Sequence, residues 1–265
     1  MTPEARPTAL VSFVGAGPGD ADLVTVKGLR RLREARVVLH DRLVPSALLS
    51  GVRDDAELVD VGKTPGRHCL GQEDINRLLV DRAQTRGRVV RLKGGDPAVF
   101  GRLGEEIAAV RVAGIAFEVI PGVTAATAAA ALAGISLTER GSASMVVLAT
   151  GTDHAGRQTA GLDWDLLARA GATLVFYMAV RGLDAITGTL LARGRDPREP
   201  AIIVERIGAV DERIVAGHLG DIAEATRVAQ VESPAVLIVG PTVKAASVPR
   251  AVRQTLEAAP VGAGW

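Results

Sequence analysis

Between residues 10 and 133, short β-branched runs take turns with amphipathic stretches, and this alternation limits the fold more than any other feature of the chain. The runs lie at 10–14, 36–39, 57–61, 88–92 and 116–120, and helical patterns lie near 23–35, 73–86, 103–113 and 123–133. Strands separated by helices pair in parallel and need helices on both faces of their sheet. A mostly parallel α/β domain is therefore expected over 10–134. The texture changes after Gly134: residues 135–144, with Thr138, Glu139, Arg140, Gly141 and Ser142, lack periodicity and read as an inter-domain connection. Apolar runs resume at 145–150, 173–178, 200–204, 212–216 and 234–239. The polar turn from Gly208 to Asp211 is short enough for a hairpin, so the second α/β domain, over 145–242, is expected to have a mixed sheet. Residues 1–9 and 245–265 are expected to be flexible tails.

Composition narrows the function classes. Apolar residues make up 48% of the sequence but aromatics only 3%, so two cores can be built, mainly of Val, Leu, Ile and Ala. The net charge of +1 argues against a general nucleic-acid binder. Cys69 is the single cysteine, which excludes an intramolecular disulfide or a thiolate metal site, and the histidines (His40, His68, His154 and His218) lack helical ligand spacing. No metal is expected. Residues 1–8 carry no apolar signal core, and no apolar run is long enough to span a membrane. The expectation is a cytoplasmic protein with no membrane or nucleic-acid partner.

Two glycine-rich loops follow strand-like runs. The first is Gly15-Ala-Gly-Pro-Gly-Asp20. It invites a dinucleotide reading with Asp41 on a ribose, but Asp20 stands where the third glycine is needed and Pro18 removes an N–H. The second follows Val90-Arg91-Leu92-Lys93 and runs Gly94-Gly95-Asp96-Pro97-Ala98-Val99-Phe100-Gly101, then Arg102, Leu103, Gly104, Glu105 and Glu106 into a helix. Paired glycines let backbone approach a ligand, and Pro97 fixes the exit direction. A loop of this kind at a strand end in an α/β sheet is where ligands sit. Lys63 and Lys93, two of only four lysines, lie at strand ends beside such loops.

Taken in order, these segments resemble the tetrapyrrole methylases. The residues that carry the resemblance are Gly15 to Asp20, His40-Asp-Arg-Leu-Val44, Val61-Gly-Lys63 with Gly66 and His68, and Gly94-Gly-Asp-Pro97 with Phe100-Gly-Arg102. Pro121-Gly-Val-Thr-Ala125, Leu137-Thr-Glu-Arg140 and Tyr177-Met178 complete it, so it covers about residues 10–242. Leu103, Glu139 and Ile207 depart from the family pattern, where glycine, histidine and a small residue are common.

The resemblance implies two α/β domains with S-adenosylmethionine in the cleft between them, in a homodimer. It also implies two successive C-methylations of uroporphyrinogen III, through precorrin-1 to precorrin-2, for siroheme- or cobalamin-type biosynthesis. By the same resemblance the donor is held by Pro18, Gly94, Gly95, Asp96, Val99, Thr124, Ala125, Met178 and Ile207. The tetrapyrrole, a small molecule rich in carboxylates, meets Arg42, His68, Arg102 and Arg140. Asp41 accepts a proton, Lys63 donates one, and Arg102 and Glu105 complete the catalytic set. The residue types suit these roles: an arginine fork matches a carboxylate, and Asp or Lys at a strand end can move protons. Two alternatives stay open, a later precorrin or other methyltransferase of the same fold and a non-catalytic S-adenosylmethionine sensor.

Overall fold

The computed structural model describes residues 9–62, 70–151 and 161–245. The protein divides into two compact units, one of residues 1–128 with 206–212 and one of 129–205 with 213–265. The first division falls at Ala128, inside a helix and ahead of the 135–144 segment, and residues 206–212 join the first unit.

In the first unit five strands form one fully parallel sheet: β1 (Leu10–Gly15), β2 (Val37–His40), β3 (Glu57–Asp60), β4 (Arg88–Lys93) and β5 (Ala116–Ile120), ordered β3-β2-β4-β1-β5. Strand period 2 divides its residues between two cores. Val11, Phe13, Val37, Leu39 and Val89 pack with Ile75, Leu79 and Ala83 of α3 (Gln72–Arg86) and Val110 of α4 (Leu103–Val112). Val14, Val38, Val90 and Leu92 face the opposite way, toward Leu32 of α1 (Val26–Glu34) and Leu48 of α2 (Ser46–Leu49). Connections running one way across the sheet thus carry their helices on one face, and those running back carry them on the other, as right-handed crossovers require. The adjacent strands β1 and β4 lead to helices on opposite faces, which makes their C-terminal ends the switch point of the sheet.

Local signals set the ends of these helices. Thr25 Oγ1 accepts from Gly28 N–H at 3.1 Å and starts α1. Asp74 reaches back to Gly71 N–H at 3.1 Å, and Gly87, with φ +89°, ends α3. The helix α5 (Ala125–Leu132) begins just after Thr124, whose carbonyl accepts the Ala128 N–H at 3.1 Å.

The second unit holds β6 (Val146–Thr150), β7 (Thr173–Tyr177), β8 (Pro200–Glu205), β9 (Arg213–His218) and β10 (Ala235–Val239), ordered β6-β7-β10-β8-β9. Only β6 and β7 run parallel, and β8–β9 is the expected antiparallel hairpin. Its core joins Leu174, Phe176, Ile203 and Leu237 to α6 (Trp164–Arg169), α7 (Leu183–Ala192) and α8 (Ile222–Val228). All ten strand-like runs are strands, and the parallel-then-mixed character holds. The Lys63 and His68 positions, His154 and the tail beyond residue 245 lie outside the described residues. Ala9, at the end of the expected N-terminal tail, packs against the first core. Among the described residues no helix is long and apolar enough to cross a membrane.

Candidate functional site

Three backbone segments close on one another at the C-terminal ends of β1, β4 and β5. Ala16 N–H donates to the Lys93 carbonyl at 2.8 Å, continuing the sheet past its edge. Gly17 and Gly95 then exchange both backbone hydrogen bonds, at 3.2 and 2.7 Å, tying the first glycine loop to the second. Gly122, after β5, wedges between them: a Cβ on Gly15 would lie 2.6 Å from Gly122 Cα and 2.7 Å from the Gly95 oxygen. Glycine is required there because backbone meets backbone, not for a turn. Asp96 laces the same loops, its Oδ2 accepting Gly122 N–H at 3.0 Å and its Oδ1 Ala98 N–H at 2.8 Å. Gly95 itself has φ +66° and faces Val123, Thr124 and Ala125, with 4.0 Å of space where a Cβ would stand.

Nine residues expected to form the site therefore sit in this part of the first unit. Pro18, Gly94, Gly95, Asp96 and Val99 lie on the two glycine loops, and Thr124 and Ala125 stand at the start of α5. Asp41 ends β2 beside Gly94, and Ile207, buried, packs through its backbone on Gly19. The dinucleotide reading of the first loop fails here too, since the bridge to Gly95 consumes the Gly17 N–H and carbonyl.

Arg102 stands at the start of α4 with a left-handed φ of +53°, and both it and Glu105 are exposed. Its guanidinium forks Glu105 through Nε at 2.8 Å and Nη2 at 2.7 Å. That fork holds the Glu105 carboxyl below the usual carboxylate range. Phe100, Met178, Arg206 and, away from any expected site residue, Gln230 share the left-handed backbone, at φ +52°, +53°, +49° and +50°. Each costs energy for a residue other than glycine, and such positions cluster at ligand sites. Arg42 is exposed and lies against Gly62, where a Cβ would meet the Arg42 Cβ at 2.6 Å. Met178, just after β7, and Arg140, at the tip of a turn closed by paired hydrogen bonds between Glu139 and Ala143 at 2.9 Å, belong to the second unit.

Sequence reasoning singled out Lys93 but missed the charge network beneath Asp41 to which it belongs. Arg91 and Lys93, two apart on β4, point to the same face as Val89, toward α3 and α4, and are almost fully buried. Arg91 Nη2 meets Asp41 Oδ1 at 2.5 Å, while its Nε meets Glu106 Oε1 at 3.0 Å. Lys93 Nζ takes the other oxygen of Glu106 at 2.8 Å, and Gln72 Nε2 adds 3.2 Å to Oε1. Burial first, then the Arg91 charge, pushes the Lys93 ammonium below the usual lysine value, and Glu106 opposes both. The strand order supplies the signal that the sequence lacked: a strand flanked by strands on both sides in a parallel sheet has little room for two cations unless anions meet them.

With this geometry in place, comparison with known proteins gives a consistent answer. The family described as Tetrapyrrole (Corrin/Porphyrin) Methylases matches residues 10–223, and the chain belongs to it. It is 50% identical over 234 residues to a siroheme synthase of Edwardsiella ictaluri (strain 93-146), covering 88% of this chain and 50% of that protein. The chain spans about half the length of the curated relatives it matches. A crystal structure of the native uroporphyrin III C-methyl transferase from Thermus thermophilus superposes with a TM-score of 0.76 at 43% identity, covering 88% of this chain and 98% of that one. The same enzyme has been solved with S-adenosyl homocysteine. A cobalamin biosynthetic enzyme, cobalt precorrin-4 methyltransferase, superposes with a TM-score of 0.80 at 29% identity, covering 89% and 96%.

Proposed function

We propose that this protein methylates uroporphyrinogen III twice at carbon, using S-adenosylmethionine and giving precorrin-2, as a cytoplasmic homodimer. The observation that carries this reading is the interlocked Gly15, Gly95 and Gly122 backbone at the switch point, with Asp41 beside it. Likeness to the Thermus enzyme over nearly its whole length supports the acceptor, and its complex with S-adenosyl homocysteine supports the donor. The residues fit such a donor: glycines at 94 and 95 leave the backbone bare beside the start of α5.

When bound, S-adenosylmethionine supplies an electrophilic methyl group on sulfur, and a reduced pyrrole ring supplies the nucleophilic carbon. The protein's task is alignment and the exclusion of water. Gly94, Gly95, Thr124, Ala125 and Pro18 line the donor position, with Asp96 bracing two of its loops and Val99, Ile207 and Met178 adding apolar contact. Arg102, oriented by Glu105, and Arg42, Arg140 and His68 receive acceptor carboxylates. Each methyl arrives as a cation equivalent, so the ring must lose one net proton from a position other than the methylated carbon. Asp41 takes it, and any proton that Lys63 adds elsewhere on the ring is matched by a further one lost to solvent. The test is anaerobic incubation of the protein with uroporphyrinogen III and methyl-labelled donor. Two labelled methyl groups per ring are expected. No labelled ring refutes the reading, and transfer only to an already methylated precorrin would place the protein with later enzymes of the same fold.

A further inference from the structure

The geometry points to Arg91 as a positioning residue for Asp41, with Glu106 and Lys93 completing a buried, charge-balanced quartet that sets the carboxylate's orientation and the charges it faces. The inference rests on the proposed methyl transfer only for its turnover readout.

Three facts carry it. First, the quartet contains two cations and two anions, and Glu106 is completely inaccessible while Arg91 and Lys93 are nearly so. Charges taken out of water persist only when each is met by a partner, and here Glu106 uses one oxygen for each cation. Second, Arg91 is shared: its Nε is committed to Glu106 and its Nη2 to Asp41, while Nη1 donates to the Leu92 carbonyl at 3.2 Å. The guanidinium is planar and clamped on three sides, so the Asp41 oxygen it holds is fixed in direction. Third, Asp41 is the quartet's only member with appreciable exposure, and its second oxygen faces Gly94 N–H at 3.4 Å, the first residue of the second glycine loop. A buried ion pair serves stability poorly. One that opens onto a loop at the sheet's switch point fits a role in orienting the group at its mouth.

Other charged groups are His40 and Arg42 beside Asp41 in sequence, Asp60 at the end of the neighbouring strand, and, at the start of the helix that carries Glu106, the Arg102–Glu105 pair. His40 turns its Nδ1 to the Asp41 carbonyl at 3.3 Å, Asp60 accepts Gly62 N–H at 2.8 Å, and Arg102 is neutralised by Glu105. Among the described residues, Arg91 is the cation paired with the Asp41 carboxylate.

Arg91→Gln leaves Glu106 paired with Lys93, so the interior stays neutral, and deprives Asp41 of its cation. The carboxylate then faces one positive charge fewer at 2.5 Å, so the acidic limb of the pH–kcat profile should move up. Loss of the clamp should lower kcat at least about tenfold, with donor Kd and KM within about twofold of wild type. Glu106→Gln removes an anion and should move the same limb down. Arg91→Lys, which keeps the charge without the fork, should leave the limb in place while kcat falls. Opposite limb shifts in the two charge-changing variants support the inference. An unmoved limb, or shifts of one sign in both, overturns it and makes Arg91 a structural brace. If Arg91→Gln does not fold, Glu106→Gln alone decides: a downward shift supports the inference and none overturns it. A 13C titration of the Asp41 carboxyl without substrate reads the same shifts with no turnover. A wild-type protein inactive on uroporphyrinogen III therefore fails the functional reading without deciding this one.

Discussion

Gly15→Ala is the sharpest test of the claim that three loops lock backbone to backbone. The added Cβ would sit 2.6 Å from Gly122 Cα and N and 2.7 Å from the Gly95 oxygen. Carbon contacts are comfortable near about 3.5 Å, so the loops must part by roughly 0.9 Å, and every obstructing atom is backbone with no rotamer to change. Overpacking of this kind costs about 1–3 kcal/mol. The separation also moves Gly95 away from Thr124 and Ala125, and misplacement of about 1 Å can cost as much as a hundredfold. Donor affinity should fall at least about tenfold. The control is Gly104→Ala, in α4 with nothing within 4 Å of its Cβ. There the gain in helix propensity should stabilise the protein by up to about 1 kcal/mol and leave donor binding alone. Urea titration and calorimetry with S-adenosylmethionine read both variants. A Gly15→Ala protein with wild-type midpoint and affinity would show that the loops are free to separate, and the donor assignment would lose its main support.

Arg102→Lys should lower kcat/KM for the tetrapyrrole by about tenfold to a hundredfold, the worth of a charge-assisted hydrogen bond of about 1.5–3 kcal/mol. Because both partners of the Arg102–Glu105 pair are exposed, the urea midpoint should move little; steady-state assays with unchanged efficiency would return Arg102 to the solvated surface. Asp41→Asn should bind S-adenosylmethionine normally and lose about 10²–10⁴ in turnover, so turnover within a fewfold of wild type would remove Asp41 as the base. Glu118, bonded first by Arg31 and also by Lys27 and Ser12, is held down at about 2 from 4.5. A depressed carboxyl contributes stability that is present above its unfolded value and lost as pH falls through the folded one; Glu118→Gln should therefore be less stable than wild type at neutral pH, with the gap closing between pH 4.5 and 2 in acid unfolding followed by circular dichroism. A gap that persists at low pH would assign the loss to packing.

The strands were legible because each is short, apolar and bounded by polar or glycine residues, and a parallel sheet buries both faces of its interior strands. The hairpin was legible from the length of the turn between β8 and β9. The helices α6, α7 and α8 were not placed from the sequence. Their stretches are brief and carry Ala and Gly where a clear polar face would help, as in Leu183-Asp-Ala-Ile-Thr-Gly188. The helix α2 is a single turn of four residues, too short for periodicity to register. Nor did sequence indicate that 206–212 packs with the first unit. Ile207 meets Gly19 and Gly208 meets Asp20 through backbone, which leaves no pattern of side chains to read.

The site divides in the same way. Gly15, Gly95 and Gly122 could be singled out as bare backbone near strand ends, but not that they need to be bare because of one another. Asp96 suggested a ligand contact, whereas its two oxygens span two loops and accept backbone N–H groups. Most was lost at β4. In Val89-Val90-Arg91-Leu92-Lys93 the two charged residues alternate with apolar ones, which alone resembles an edge strand with a wet face. The order β3-β2-β4-β1-β5 makes it the central strand instead. Once β4 is central, Arg91 and Lys93 must be buried, and two buried cations demand anions within reach. Glu106, one turn into the helix that leaves the same loop, is placed to answer both, and Asp41, at the end of the neighbouring strand, answers Nη2 of Arg91. Topology thus turns an ordinary alternating strand into the support beneath the acidic group of the site.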